Sequence, residues 1–164
     1  VSSAIDEILA SAAVHEADFE GMRAVVPTKH LSIVTCMDSR IDTFRIFGLV
    51  SGEAHILRNA GGLATDDVLR SLVLSQRLLQ TREVFLMHHT DCGLHRTDEQ
   101  KLRAGIEADT GAQPAYEFGS FSDVDTAVRA AIVRVREHPF LPYRDRVRGF
   151  VYETETGHVR EVFA

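Results

Sequence analysis

Residues 31–40 read Leu-Ser-Ile-Val-Thr-Cys-Met-Asp-Ser-Arg: a short apolar, β-branched run that ends on a cysteine and passes straight into a polar segment. Runs of this length and composition form strands buried on both faces, as inside parallel sheets. Two more follow. Residues 53–57 (EAHIL) lead into the turn-rich Arg58-Asn59-Ala60-Gly61-Gly62, and residues 83–88 (EVFLMH) form the third run. Between these two, Val68, Leu69, Leu72, Val73, Leu78 and Leu79 recur at helical spacing behind Thr65 or Asp66 as a cap. The alternation predicts an α/β domain, a mostly parallel sheet flanked by helices.

Outward from this centre, residues 3–20 place Ile5, Ile8, Leu9, Ala12 and Phe19 at helical spacing. That helix is amphipathic and packs either on a neighbouring molecule or on its own core. Residues 97–108 read as a helix capped by Thr97 or Asp98, and 109–121, with its Gly and Pro, as a loop. Val124, Ala127, Val128, Ala131, Ile132 and Val135 mark a further helix, capped by Ser122 or Asp123 and ended near Pro139. Residues 148–153 and 159–163 flank Thr156-Gly157, a hairpin turn. No repeat, low-complexity stretch or linker interrupts the pattern, so residues 1–164 are expected to be one domain.

Composition narrows the function. The chain is 45% hydrophobic and 26% charged, with a net charge of −6 and acids and bases mixed throughout. Nucleic-acid binding needs a basic face to neutralise phosphates, and none is present. No apolar run reaches the roughly 20 residues that span a bilayer. The N-terminus lacks a basic-then-apolar leader, so a cytoplasmic location is expected.

The two cysteines, Cys36 and Cys92, are the chemical clue. In an exported protein they read as a disulfide; otherwise they are buried thiols or metal ligands. Functional groups of open parallel sheets collect at the carboxyl ends of the strands. Cys36 closes the first strand and Cys92 lies just past the third, so the fold can bring them together. Two thiolates and an imidazole suit Zn2+, and three protein ligands leave a fourth position open, as catalytic sites do. His88 and His89 are adjacent and point to opposite faces of a strand. His89, which gives a His-x-x-Cys spacing, is the expected ligand, and His88 a packed neighbour. His15, His30, His95, His138 and His158 read as surface histidines. Asp38 and Arg40 alternate with Cys36 if the strand continues, and form either an ordinary salt bridge or a catalytic pair beside the metal. Asp38 is also a possible fourth ligand. Gly61 and Gly62 are either a plain turn or a close backbone approach that offers an N–H to a substrate oxygen.

Cys36-x-Asp38-Ser39-Arg40, Arg58-Asn59-Ala60-Gly61-Gly62 and His89-x-x-Cys92-Gly93, in this order, resemble the beta carbonic anhydrases, in particular a short bacterial subgroup. The resemblance covers about residues 30–95. It implies zinc-dependent, reversible hydration of carbon dioxide to bicarbonate and a proton, by attack of zinc-bound hydroxide with an Asp38–Arg40 dyad assisting. It implies Cys36, His89 and Cys92 as zinc ligands, an antiparallel strand at the edge of the parallel sheet, and a homodimer or higher homo-oligomer in which the N-terminal helix reaches over the partner. Two thiolates cancel the formal charge of the metal, so its water is expected to be less acidic than in a three-histidine site, and Asp38 correspondingly more important.

The chain departs from the family pattern in places. Residues 25–29 lack the glutamine of plant-like members, and His55 and Leu74 fall where aromatic residues of the substrate pocket are expected. With no tryptophan, control by bicarbonate held on a tryptophan is not expected. Two other functions compete: a related zinc hydrolase acting on carbon disulfide or carbonyl sulfide, and a non-catalytic zinc or thiol redox sensor, which would have no need of an Asp–Arg pair.

Overall fold

The sequence places its apolar, β-branched runs in the middle of a five-stranded sheet. The computed structural model describes residues 3–164. Its strands are β1 (Leu31–Cys36), β2 (Ala54–Asn59), β3 (Glu83–His89), β4 (Val147–Tyr152) and β5 (Val159–Val162), in the order β2-β1-β3-β4-β5. All pairs are parallel except β4 with β5, which run antiparallel through the hairpin at Gly157. The parallel sheet and its antiparallel edge strand are therefore as expected. β1 is buried at every position after Leu31, as a central strand covered on both faces must be.

Among the described residues five α-helices accompany the sheet: α1 (Ala4–Ala17), α2 (Thr43–Phe47), α3 (Asp66–Leu79), α4 (Glu99–Thr110) and α5 (Val124–Glu137). On one face, Val34, Val84, Leu86, Val147 and Val151 meet Val68, Leu69 and Leu72 of α3 and Val128, Ile132 and Val135 of α5. α5 lies so close to β4 that a Cβ on Gly149 would fall against Val128 and 2.6 Å from Ile132 Cδ1. The opposite cluster joins Cys36, Ile41, Met87, Cys92 and Phe150, with Phe85 stacked on Phe150 at a centroid distance of 3.9 Å. The caps are Ser3 for α1, Thr65 for α3, Asp98 for α4 and Asp123 for α5, each accepting a backbone N–H from the first turn.

Several boundaries differ from the sequence reading. β2 runs on to Asn59 and β3 to His89, because each is hydrogen-bonded along its full length. α4 starts at Glu99 rather than at 97, since Asp98 takes the cap. α2, five residues between the cap Asp42 and the left-handed Gly48, was not anticipated. α1 buries none of its residues in this chain. No helix among the described residues is long and apolar enough to cross a membrane.

Candidate metal centre

Three ligand atoms converge at the carboxyl edge of the sheet. Cys36 is the last residue of β1 and His89 the last of β3, on neighbouring strands. Past His89 the chain turns through Asp91, at the positive φ of 52°, and delivers Cys92 to the same place. The sulfurs of Cys36 and Cys92 and a ring nitrogen of His89 lie within 4.8 Å of one another. All three residues are nearly buried, at 5%, 6% and 1% exposure.

The details fit a metal. His89 Nδ1 sits 2.7 Å from the Thr90 carbonyl, which can only accept, so Nδ1 carries the proton and Nε2 offers its lone pair to the cluster. Nε2 is buried and has no hydrogen-bond partner. A fixed tautomer with an orphaned inward nitrogen beside two free thiols is a donor set that fits a metal ion. Burial pushes the Cys36 thiol up, but His89 and the backbone N–H groups of Asp38 and Gly61 outweigh it and bring the thiol to about 7. Burial raises the Cys92 thiol. His89 is raised overall, its desolvation outweighed by Cys36, Thr90 and Asp38.

Asp38 and Arg40 reach the cluster by a route other than strand alternation. The strand ends at Cys36, and the chain turns: the Arg40 N–H donates to Asp38 Oδ1 at 2.9 Å and the Ile41 N–H to the Asp38 carbonyl at 3.0 Å. Arg40 then grips the carboxylate from the side, Nε on Oδ1 at 3.0 Å and Nη2 on Oδ2 at 2.8 Å. Asp38 Oδ2 lies 3.8 Å from His89 Nε2, facing the ligand cluster. The Arg40 guanidinium holds the Asp38 carboxyl well below the usual carboxylate range, so Asp38 is ionised and can only accept hydrogen bonds.

The glycines come close to the backbone around Cys36, and the Gly61 N–H is taken by the Cys36 sulfur. Gly61 and Gly62, at φ of 78° and 68°, follow β2 in a short 3₁₀ turn. The Gly61 N–H donates to Cys36 Sγ at 3.3 Å. A Cβ on Gly62 would fall 2.9 Å from the Cys36 backbone nitrogen. Asn59 ties the turn shut by donating to the Leu63 carbonyl and accepting from the Leu63 N–H, both at 2.9 Å.

Arg58 is a contributor that the sequence reading did not single out. Its Nε donates to the Cys36 carbonyl at 2.9 Å and its Nη2 to the Asp38 carbonyl at 2.6 Å, clamping the backbone on both sides of Met37. Its place in the Arg-Asn-Ala-Gly-Gly run was the available signal.

Within one chain His55 and Leu74 do not join the cluster. His55 pairs with Ser32 near the opposite end of the sheet, and His55 and Leu74 line a separate cleft of about 430 Å³ beside β2. His55 Nδ1 is bonded to Ser75 Oγ at 2.7 Å. A cleft of about 510 Å³, lined by Arg58, Asn59, Ala60, Leu63, Tyr116 and Phe118 among others, lies nearer the Cys36–His89–Cys92 cluster, since Asn59 is the register partner of Cys36. His88 is fully buried against Phe121, as a packed histidine should be. Of the five histidines assigned to the surface, His15 and His158 are exposed. His30, His95 and His138 are half-buried instead, because His30 bonds the Gln80 carbonyl, His95 stacks on Phe121 and His138 packs on Phe140.

A family model described as carbonic anhydrase matches residues 31–159, from the first strand to the last. The chain belongs to the carbonic anhydrase family. Within that family it is similar to beta-carbonic anhydrase 1 of Mycobacterium tuberculosis, 42% identical over 96% of each chain. It is also similar to a carbon disulfide hydrolase of Acidithiobacillus thiooxidans, 31% identical over 88% of this chain and 87% of that one. Among solved structures, a carbonic anhydrase from Streptococcus mutans superposes with a TM-score of 0.91 at 38% identity, covering 99% of both chains. These matches place the chain with the beta class, as an enzyme.

Proposed function

We propose that this carbonic anhydrase catalyses the zinc-dependent, reversible hydration of carbon dioxide to bicarbonate and a proton. The observation that carries the proposal is the set of three buried donors, Cys36, His89 and Cys92, left open on the side that Asp38 faces, in a chain of this family. Zinc held there supplies Lewis acidity that brings the pKa of water down towards neutrality.

The chain's own residues supply the rest. Thr90 fixes the tautomer of His89, and the Gly61 N–H bonds the Cys36 sulfur, drawing off some of its charge. Asp38, permanently ionised, accepts a hydrogen bond from the attacking nucleophile and so aims its lone pair at the carbon of the substrate. Arg40 fixes the plane of that carboxylate. Because Asp38 stays ionised it does not store the product proton, which passes to buffer. The scheme makes Asp38 an orienting acceptor, while Cys36, His89 and Cys92 would hold the metal.

The test is stopped-flow carbon dioxide hydration by zinc-loaded protein, beside Cys36→Ser. Turnover that rises between about pH 6.5 and 9 and is lost in the variant supports the proposal. Full zinc loading without turnover would overturn it. A second reading, hydrolysis of carbon disulfide or carbonyl sulfide, is suggested by the relative at 31% identity. The 42% relative over nearly the whole chain favours carbon dioxide. Sulfide release from carbon disulfide, measured on the same sample, separates them.

The functional unit is read as a homodimer of single-domain chains. Its support is α1, whose Ile5, Ile8, Leu9 and Val14 are exposed and which buries nothing in its own chain. Helices of about 12–15 residues are marginal in water without packing, so a second copy is the natural cover. A reducing compartment such as the cytoplasm suits two thiols that must stay free to bind metal.

A further inference from the structure

We infer that Asp91 is a positioning residue for catalysis, acting through Arg40 on Asp38; the inference rests on the function proposed above. Arg40 has more donors than Asp38 can use. Two of its nitrogens hold Asp38, and the outer edge of the guanidinium is taken by Asp91, with Nη1 on Asp91 Oδ2 at 2.8 Å and Nη2 on the Asp91 carbonyl at 3.0 Å. The guanidinium plane is thus fixed from two sides by groups on different strand ends, Asp38 after β1 and Asp91 after β3. An exposed Arg–Asp pair alone is loosely held and contributes little. Asp91 turns it into a three-membered array anchored to the segment that also carries His89 and Cys92.

The backbone of Asp91 makes the same point. Its φ of 52° is a left-handed conformation that glycine adopts without cost and that aspartate and asparagine tolerate better than most other residues. Glycine would serve the turn better. What aspartate adds is the carboxylate, and the carboxylate is spent on Arg40. That conformation also turns the Asp91 carbonyl towards the same guanidinium, so side chain and main chain bind it together.

The reading separates stability from catalysis. In Asp91→Gly the backbone is relieved and the Asp91 carbonyl contact persists, while Arg40 loses its Nη1 partner. Zinc-loaded Asp91→Gly is expected to melt no lower than wild type, yet to lose about tenfold in kcat/KM for carbon dioxide, the scale of a modest misplacement. Asp91→Asn, which keeps an oxygen acceptor and tolerates the left-handed backbone, is expected to stay within about twofold of wild type. An independent readout is the Arg40 Nε–H resonance in 15N-labelled, zinc-loaded protein, identified by its loss in Arg40→Lys. It is expected to exchange with water at least about tenfold faster in Asp91→Gly, as a released guanidinium does. Full kcat/KM in Asp91→Gly, an Arg40 signal unmoved by the change, or parallel loss of melting temperature and activity would each overturn the inference. Absence of turnover in wild type itself would refute the proposed function instead, and the Arg40 resonance would still decide whether Asp91 holds the guanidinium.

Discussion

His88 and His89 are neighbours of the same chemistry whose environments give them opposite tasks. His89 has one nitrogen fixed on a carbonyl and the other facing two thiols. His88, one residue back and on the other side of β3, has neither nitrogen hydrogen-bonded. Burial pushes the His88 imidazole down to about 4 from an ordinary value of 6.5. Between those two values the unfolded chain binds a proton that the folded chain refuses, so stability rises with pH across the window. The His88 contribution is complete above about pH 6.5 and is lost as pH falls towards 4. On metal-free protein, urea unfolding should show wild type losing roughly 3 kcal/mol more than His88→Leu between pH 7 and 4. Parallel stability profiles for the two proteins would sink the argument. The convergence of Cys36, His89 and Cys92 was legible at this scale because residue type and spacing carry it. The Asp38–Arg40 geometry was not, because a side chain that bonds its own backbone two residues on makes a turn where periodicity suggests a continuing strand.

At the scale of elements, what decides legibility is how completely a segment is buried. β1 and β3 were readable because strands covered on both faces have continuous apolar runs, and α3 and α5 because a long amphipathic stripe repeats often enough to be counted. α2 has only five residues, too few for a period to declare itself; its signals were the cap Asp42 and the terminating Gly48, which are local chemistry rather than pattern. The packing of α5 on β4 was also hidden, since nothing in the sequence says which glycine faces a helix. Gly149 is that residue, and adding a methyl there drives it into two β-branched side chains with little rotamer freedom. Gly149→Ala is therefore expected to destabilise the protein by about 1–3 kcal/mol, and Val128→Ala to restore part of that loss in the double variant, as chemical unfolding of the four proteins would reveal. Additive losses would mean that α5 moves away as a rigid body instead of being locally overpacked.

For the molecule as a whole, the parallel sheet explains how a site with no compact motif assembles. It also leaves α1 without a partner. If a second copy covers it, light scattering of the full chain should give about twice the chain mass of 18.2 kDa. Removing residues 1–22 should give a monomer with an unchanged sheet signal in circular dichroism, because no residue of α1 is buried in its own chain. A monomeric full-length protein would refute the pairing. The separate cleft holding His55 and Leu74 opens beside β2, one of the two edge strands of the sheet. The sequence could align those two residues with a pocket but could not say that His55 falls near the start of β2 and Leu74 on α3.

The near-complete burial of the three donor side chains bears on kinetics as well as affinity. An ion seated among them meets solvent only on the side that Asp38 faces, and its three donors let it go only when the ends of two hydrogen-bonded neighbouring strands drift apart, with the Gly61 turn lifting off Cys36. Escape of the metal to a chelator is thus a clock for the breathing of the sheet's carboxyl edge. It should tick at the pace at which the backbone amides of Met87 and His88 trade their hydrogens with solvent, rather than at the pace set by the strength of the chelator.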